Sequence, residues 1–425
     1  MRPSRGPAMP DDIDRELARS EPDYVVYVPT SNNDTGNEHF LVREAPDGNL
    51  MAIWTQSSYE GGRDHRIMFS RSLDDGRRWS EPTRIAGPSG PDDDVLMASW
   101  GFPITSASGR IYAIWNQYQN FADAEDQHTG TMDCRYSDDL GETWSESQTV
   151  PMPRSAYDHP DRRVPSNWVA WQLPIRDLDG RSYTGFTRWL SPAVRTEPAR
   201  DSWTAHESVV QFMRFMNVDD DPEPRDLQIK WSADDEALRV PHYDRPDLSI
   251  AQEPSLVRLP DDRLFCTMRT MSGYIWYSVS DDDGRSWCPP RPLLRTDYGL
   301  PIEEPLCCCP IYQLADGRYV LLHHNNDGHF EGSAREETGK NRRPAFIALG
   351  EFREGADQPI WFSESRQLMD NGGVGVGPLQ RIDIGVYPSF TTHTGEDILW
   401  HPDRKFFLVG KRITDEFLEG LMVPR

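Results

Sequence analysis

From residue 40 onward the chain repeats one local pattern. A short run alternating between apolar and polar positions is followed by a Gly- or Asp-containing turn and then by a second such run. This period of two predicts strands paired as hairpins. Phe40-Leu41-Val42, the turn Pro46-Asp47-Gly48-Asn49 and Leu50 to Trp54 form the first pair. Trp100 to Thr105, Ser108-Gly109 and Ile111 to Trp115 form the second, and Val169 to Ile175, Asp179-Gly180 and Tyr183 to Trp189 the third. Ser255 to Leu259 with Leu264 to Met268, and Cys308 to Leu314 with Tyr319 to His323, follow across turns at Asp261-Asp262 and Asp316-Gly317. A sixth group is irregular: Ala345 to Leu349, Tyr387 to Thr392, Ile398 to Trp400 and Phe406 to Gly410. Residues 190 to 250 read as a long Pro- and Asp-rich excursion, and 327 to 342 as a polar surface loop. Pro interrupts most helical windows, so little helix is expected. The chain reads as all-β.

Three of these units lead into the same octapeptide. Ser72-Leu73-Asp74-Asp75-Gly76-Arg77-Arg78-Trp79 recurs as Ser137-Asp138-Asp139-Leu140-Gly141-Glu142-Thr143-Trp144 and as Ser280-Asp281-Asp282-Asp283-Gly284-Arg285-Ser286-Trp287. In Ser-x-Asp-x-Gly-x-x-Trp the Ser and Asp side chains can bond the loop's own N–H groups. Gly supplies a positive φ, and Trp is expected to staple the loop to the next strand. The pattern resembles the Asp-box of the sialidase (BNR) superfamily, over roughly residues 36 to 413. The resemblance implies a six-bladed β-propeller with a funnel on the blade axis and Asp-box hairpins on the rim, away from the chemistry. Closing such a ring requires Tyr24 to Pro29 to complete the last blade beside Phe406 to Gly410, which removes an open sheet edge. Residues 1–20 then form an N-terminal arm and 21–425 one propeller domain.

Composition narrows the partners. The chain has 425 residues, with 45 Lys and Arg against 69 Asp and Glu, a net charge of -24. That excess argues against nucleic acid and against an anionic membrane surface. No apolar run approaches the roughly 18 residues of a spanning helix. The first twenty residues lack the apolar core of a secretory signal, so a cytoplasmic location is expected, with secretion left open. Six cysteines, three of them consecutive at Cys307, Cys308 and Cys309, form neither a disulfide framework nor a spaced zinc site. No cofactor or metal is expected, and a homo-oligomer is compatible with the sequence.

Candidate chemistry rests on residues at the ends of the inner strands. Glu253 and Arg269, in Gln252-Glu253-Pro254-Ser255 and Cys266-Thr267-Met268-Arg269, match in type and spacing a sialidase stretch that sends a Glu and an Arg into the site. The resemblance implies that Glu253 polarises a catalytic Tyr and that Arg269 belongs to a trio gripping a substrate carboxylate. A planar, permanently charged fork suits that task. Tyr387, in Val386-Tyr387-Pro388-Ser389, resembles the nucleophile segment. Arg343 takes the place of the third Arg, with Arg342 as its rival. The first Arg is missing: Gly36-Asn37-Glu38-His39-Phe40 stands there, placing Glu38 and His39 in its slot. His39 is a candidate acid or base. Asp64, with Glu60 as substitute, is the nearest candidate for the family's acid/base carboxyl. Asn116, Arg188, His323, His324 and Asn325 are candidate wall residues of a sugar cleft, because hydroxyls need fixed donors and acceptors. Adjacent His323 and His324 point to opposite faces, which argues against a metal pair.

Three classes of function compete. An exo-acting glycoside hydrolase of sialidase type would use Tyr387 with Glu253, an Arg clamp, and Asp64 or Glu60. A uronate polysaccharide lyase would use His39 and Tyr387. A non-catalytic sugar-binding propeller would need neither pair. Each takes a carbohydrate partner.

Overall fold

The computed structural model describes residues 9–121, 123–195 and 207–425. Among them the strands assemble into six antiparallel sheets, the blades of a sialidase-like β-propeller. Blade I comprises Gly36–Glu44, Leu50–Ser57, Arg66–Ser72 and Thr83–Ala86. Blade II comprises Ala98–Thr105, Ile111–Tyr118, Gly130–Ser137 and Gln148–Val150. Blade III contains Asn167–Val169, Ser182–Trp189, Ser208–Phe215 and Ile229–Trp231, with Ile175–Arg176 added beside its second strand. Blade IV is built from Gln252–Arg258, Leu264–Arg269, Trp276–Ser280 and Arg291–Pro292. Blade V has Ile311–Gln313, Tyr319–His323, Ala345–Phe352 and Ile360–Phe362, with Arg366–Met369 added beside its third strand. Blade VI has Ser389–His393, Glu396–Asp403 and Phe407–Arg412, and Tyr24–Tyr27 closes it.

The ring closes between the expected segments, with Tyr24 opposite Gly410 and Val25 opposite Val409. Two expectations need correction. The excursion at 190 to 250 carries the third and fourth strands of blade III, so it is part of a blade and not an insertion between blades. The run from Ala345 belongs to blade V, where it pairs with the strand ending at His323. The N-terminal arm holds a short helix, Ile13–Ala18, capped by Asp12. Ile13 and Leu17 pack on the cluster of Phe406, Phe407 and Val409.

The core lies between blades and not inside one shell. Leu41 packs with Phe102, Trp168 and Met213; Val257 and Phe265 with Ile311 and Leu321; Phe40 and Trp54 with Trp400. Each blade is therefore covered on both faces. All eight positions of Leu50–Ser57 are buried, in keeping with its five consecutive apolar residues Leu50 to Trp54. The repeated octapeptides make the same loop three times. In the second, Gly141 N donates to Ser137 Oγ at 2.7 Å and Thr143 N to Asp139 Oδ1 at 2.9 Å. Gly141 has φ 91°, and a Cβ there would lie 2.1 Å from Phe69 of blade I. The ring of each Trp reaches the preceding blade. Trp79 meets Trp400, Trp144 meets Phe69, and Trp287 stacks on Phe212 at 4.6 Å. These are inter-blade staples. No helix among the described residues is long and apolar enough to cross a membrane.

Candidate active site

Four blades present one unusual backbone position at the axis. His39, Trp100 and Glu253 have φ of 54°, 58° and 45°, each at a bulge of the innermost strand of blades I, II and IV. Tyr387, with φ 54°, stands just before the innermost strand of blade VI. Bulky residues rarely adopt this region, which costs on the order of 1–3 kcal/mol each and persists only when the surroundings enforce it. Neighbouring blades do enforce it. Trp100 N donates to Thr55 Oγ1 of blade I at 3.0 Å, and Glu253 N to Thr187 Oγ1 of blade III at 2.7 Å. Tyr387 N donates to Cys308 Sγ at 3.0 Å. The four side chains meet in consequence. His39 lies 5.1 Å from Trp100 and Trp100 5.2 Å from Tyr387, ring to ring. Blade III adds Trp171, 6.1 Å from Tyr387.

At the centre Glu253, Arg269 and Tyr387 form a closed triangle. Arg269 Nη1 donates to Glu253 Oε1 at 2.5 Å and to Tyr387 Oη at 2.9 Å, and Tyr387 Oη donates to the same Glu253 oxygen at 2.9 Å. The sixteen-residue spacing of Glu253 and Arg269 is that of one hairpin, with Gln252 opposite Arg269 and Glu253 on the bulge. The three residues are only 2%, 1% and 4% exposed. Burial and then the Glu253 charge push the Tyr387 phenol well above its ordinary pKa, against the pull of Arg269 and Arg342, so it is neutral at rest. Burial opposes the Arg269 charge, but Glu253 and Tyr387 outweigh it and hold the guanidinium protonated. A carboxylate that accepts the phenol's proton while a cation faces the phenol oxygen is an arrangement for activating a nucleophile.

A cation cluster borders the triangle. Lys405 Nζ stands 5.0 Å from the centre of the Tyr387 ring and pairs with Glu38 Oε2 at 3.1 Å and with Glu60. Arg381 pairs with Glu60 and, at 2.6 Å, with Asp383. Burial alone would raise the Glu60 pKa, but Arg381 and Lys405 hold it well below the carboxylate range, so Glu60 carries no proton to give. Glu125, in the loop between the second and third strands of blade II, behaves oppositely. Burial raises its pKa, Glu60 and Asp126 add to the effect, and Arg269 opposes it. Its side chain is 30% exposed and lies 3.9 Å from His128 Nδ1.

Residues 48–389 match the BNR repeat-like domain family. The chain belongs to that family. Among curated protein sequences no match to this BNR protein is found. Among solved structures it is similar to a protein of unknown function from Dyadobacter fermentans, with 11% identity, 92% of this chain and 96% of the other covered, and TM-score 0.60. It is also similar to the intramolecular trans-sialidase of Ruminococcus gnavus, crystallised with oseltamivir carboxylate (14% identity, coverage 94% and 99%, TM-score 0.58). The sialidase of Trypanosoma rangeli in complex with the inhibitor DANA is a third neighbour, at 12% identity and TM-score 0.56. There the match covers 93% of this chain and 58% of the other. At such identities these neighbours establish the fold alone.

Several candidate positions of the BNR protein lie away from the triangle. Arg343 makes a double ion pair with Asp370 at 3.0 Å and a further bond to Glu331 at 2.9 Å, so its charge is already neutralised. Its rival Arg342 is the inward residue: buried, bonded to Leu306 O, and acting on Tyr387 and Glu60. Asp64 closes a turn through Ser58 N at 2.8 Å and Ser58 Oγ at 3.0 Å. Glu38 is engaged by Lys405 and is not vacant for a ligand. Asn116 bonds the carbonyls of His128 and Trp168, and Arg188 bonds Asp158 at 2.8 Å and Gln211 at 2.6 Å; both hold strands together. His323 is sealed in blade V against Ser365 and Glu303, and burial pushes its pKa down to about 3. His324 bonds Glu304 and Ile384 O, and Asn325 is exposed at a turn with φ 52°.

His39 is at the axis, but its Nε2–H donates to Trp171 O at 2.8 Å and burial pushes its pKa down to about 3. It is a neutral, weakly basic imidazole. Trp100, Trp171, Lys405, Arg381 and Glu125 were not singled out from sequence. Trp100 had a usable signal: Ser99-Trp100-Gly101 occupies the strand position of Glu38-His39-Phe40 and Gln252-Glu253-Pro254.

Proposed function

We propose that this BNR protein is a carbohydrate-active enzyme, an exo-acting glycoside hydrolase of sialidase type working on an acidic sugar. The observation that carries the reading is the Tyr387–Glu253–Arg269 triangle, with both contacts of the phenol oxygen at 2.9 Å. In this reading Tyr387 attacks the anomeric carbon as its proton passes to Glu253, and the glycosyl–tyrosine bond is later broken by water. Arg269, Arg342 and Lys405 supply the positive field for a sugar carboxylate. Lys405 and Arg342 take the places left by the missing first Arg and by Arg343. Glu125 protonates the leaving oxygen, since its carboxyl holds a proton more readily than the ion-paired Glu60. The sialidase and the trans-sialidase among the structural neighbours agree with this class without fixing the sugar.

The near-complete burial of the triangle favours a second reading, a non-catalytic propeller whose centre is locked by an ion pair. The lyase reading is not favoured, because it needs His39 as base and His39 is a weak one. A panel of aryl glycosides and uronate polymers tests all three. Release of the aryl group, lost in Glu253→Gln and in Tyr387→Phe, supports the hydrolase. An ultraviolet-absorbing unsaturated product identifies a lyase. Saturable sugar binding without product identifies the binding propeller and rejects the hydrolase.

A further inference from the structure

Behind the triangle, blade V holds a group of side chains that the proposed chemistry does not use. Glu304 and Cys307 lie three positions apart on the segment entering Ile311–Gln313, and His324 directly follows the adjacent strand Tyr319–His323. One carboxylate oxygen of Glu304, Cys307 Sγ and one ring nitrogen of His324 all lie within 4.8 Å of one another. The three residues are 1%, 0% and 2% exposed. We propose that they form a binding site for a single divalent ion of borderline-soft character, with Zn2+ as the fitting case.

Three features support this. The donor set is one thiolate, one imidazole and one carboxylate, which suits zinc rather than calcium or magnesium. The ligands are oriented from outside, as metal-bound imidazoles are. His324 Nε2–H donates to Ile384 O at 2.9 Å, which fixes the ring with Nδ1 facing Glu304 Oε1, 3.0 Å away. The carboxylate is fixed in turn by the His324 amide, whose N lies 2.6 Å from Glu304 Oε2. Finally, a thiolate and a carboxylate together cancel the charge of a dication. Binding replaces the Nδ1–H bond of His324 by a metal–nitrogen bond and any S–H bond of Cys307 by a metal–sulfur bond, and releases those protons to solvent. Arg342, bonded to Leu306 O at 3.0 Å, adds a positive charge nearby. The competing arrangement is metal-free, with His324 protonated at Nδ1 and paired with Glu304. Three protein ligands leave a fourth coordination position for water or a further donor.

The full-length protein, stripped with a chelator and dialysed against Zn2+, should retain one equivalent per chain by elemental analysis. Titration with Co2+ should produce a thiolate-to-cobalt charge-transfer band in the near ultraviolet. Cys307→Ser should abolish the band, while Cys134→Ser, in blade II, should retain it. X-ray absorption of the zinc-loaded wild type should show one sulfur at about 2.3 Å and nitrogen or oxygen ligands at about 2.0–2.2 Å. This last result decides the matter even if Cys307→Ser fails to fold. A wild type that retains no stoichiometric Zn2+, a band that survives in Cys307→Ser, or an absorption edge without sulfur overturns the site. None of these readouts depends on turnover of a sugar.

Discussion

The rim and the axis of this propeller solve their polar problems in opposite ways. At the rim, Ser137 and Asp139 find their partners within the same octapeptide, and the whole loop recurs at Ser72 and Ser280. At the axis, Glu253, Arg269 and Tyr387 reach partners 16, 118 and 134 positions away, and no blade repeats another's side chain. The backbone at the axis is repeated all the same. His39, Trp100, Glu253 and Tyr387 share a left-handed kink within or just before an innermost strand. The difference separates what builds the ring from what the ring is for: a local, self-satisfied unit can be copied into any blade, whereas one kinked position per blade can deliver a different group to a common point.

The comparison breaks first at the axis. Tyr387→Phe and Glu253→Gln should each lower kcat/KM on a turned-over glycoside by about 10²-fold to 10⁴-fold. Arg269→Met should destabilise the fold by about 3–5 kcal/mol, since it strands the Glu253 carboxylate in a buried site; urea unfolding measures it. A loss under about 1 kcal/mol would mean that the triangle is solvated in solution. At the rim, Trp287→Ala should cost about 3 kcal/mol by removing its stack on Phe212, with kcat/KM unchanged within about twofold. The buried histidines sharpen the picture through pH. Burial holds His39 and His323 at about 3 and His401 at about 4, against 6.5 when exposed. The unfolded chain thus binds more protons below 6.5. Stability is intact above that pH and is lost as pH falls, by about 1.4 kcal/mol per unit per histidine near pH 5. His39→Gln should reduce the proton uptake on unfolding at pH 5 by about one. Ser137→Ala, the smallest change, should cost about 1 kcal/mol by leaving Gly141 N without its acceptor.

Legibility in the sequence followed the same division. The hairpins, the octapeptides and the closure at Tyr24 could be read because their information is local or repeated. Glu253 and Arg269 could be paired because one hairpin carries both. Lys405 could not, because it meets Glu38 across 367 positions, and its role depends on ring geometry that no window of sequence contains. Arg342 and Arg343 are neighbours on the chain and face different surroundings, which only the packing of Leu306 and Asp370 decides. The blade III strands beyond residue 207 were obscured because 190 to 250 lacks the octapeptide that marks blades I, II and IV. The inter-blade partners of the Trp residues were not legible, since stacking between blades leaves no mark in the order of residues.

The central claim is that the kinked axial positions, and not the repeated rim, carry the chemistry. The most direct test is kcat/KM of Tyr387→Phe and Ser137→Ala side by side on the same glycoside, with urea unfolding of both. The account predicts a loss of at least 10²-fold in the first with its unfolding midpoint close to wild type, and wild-type turnover in the second. Full turnover in a folded Tyr387→Phe would contradict it.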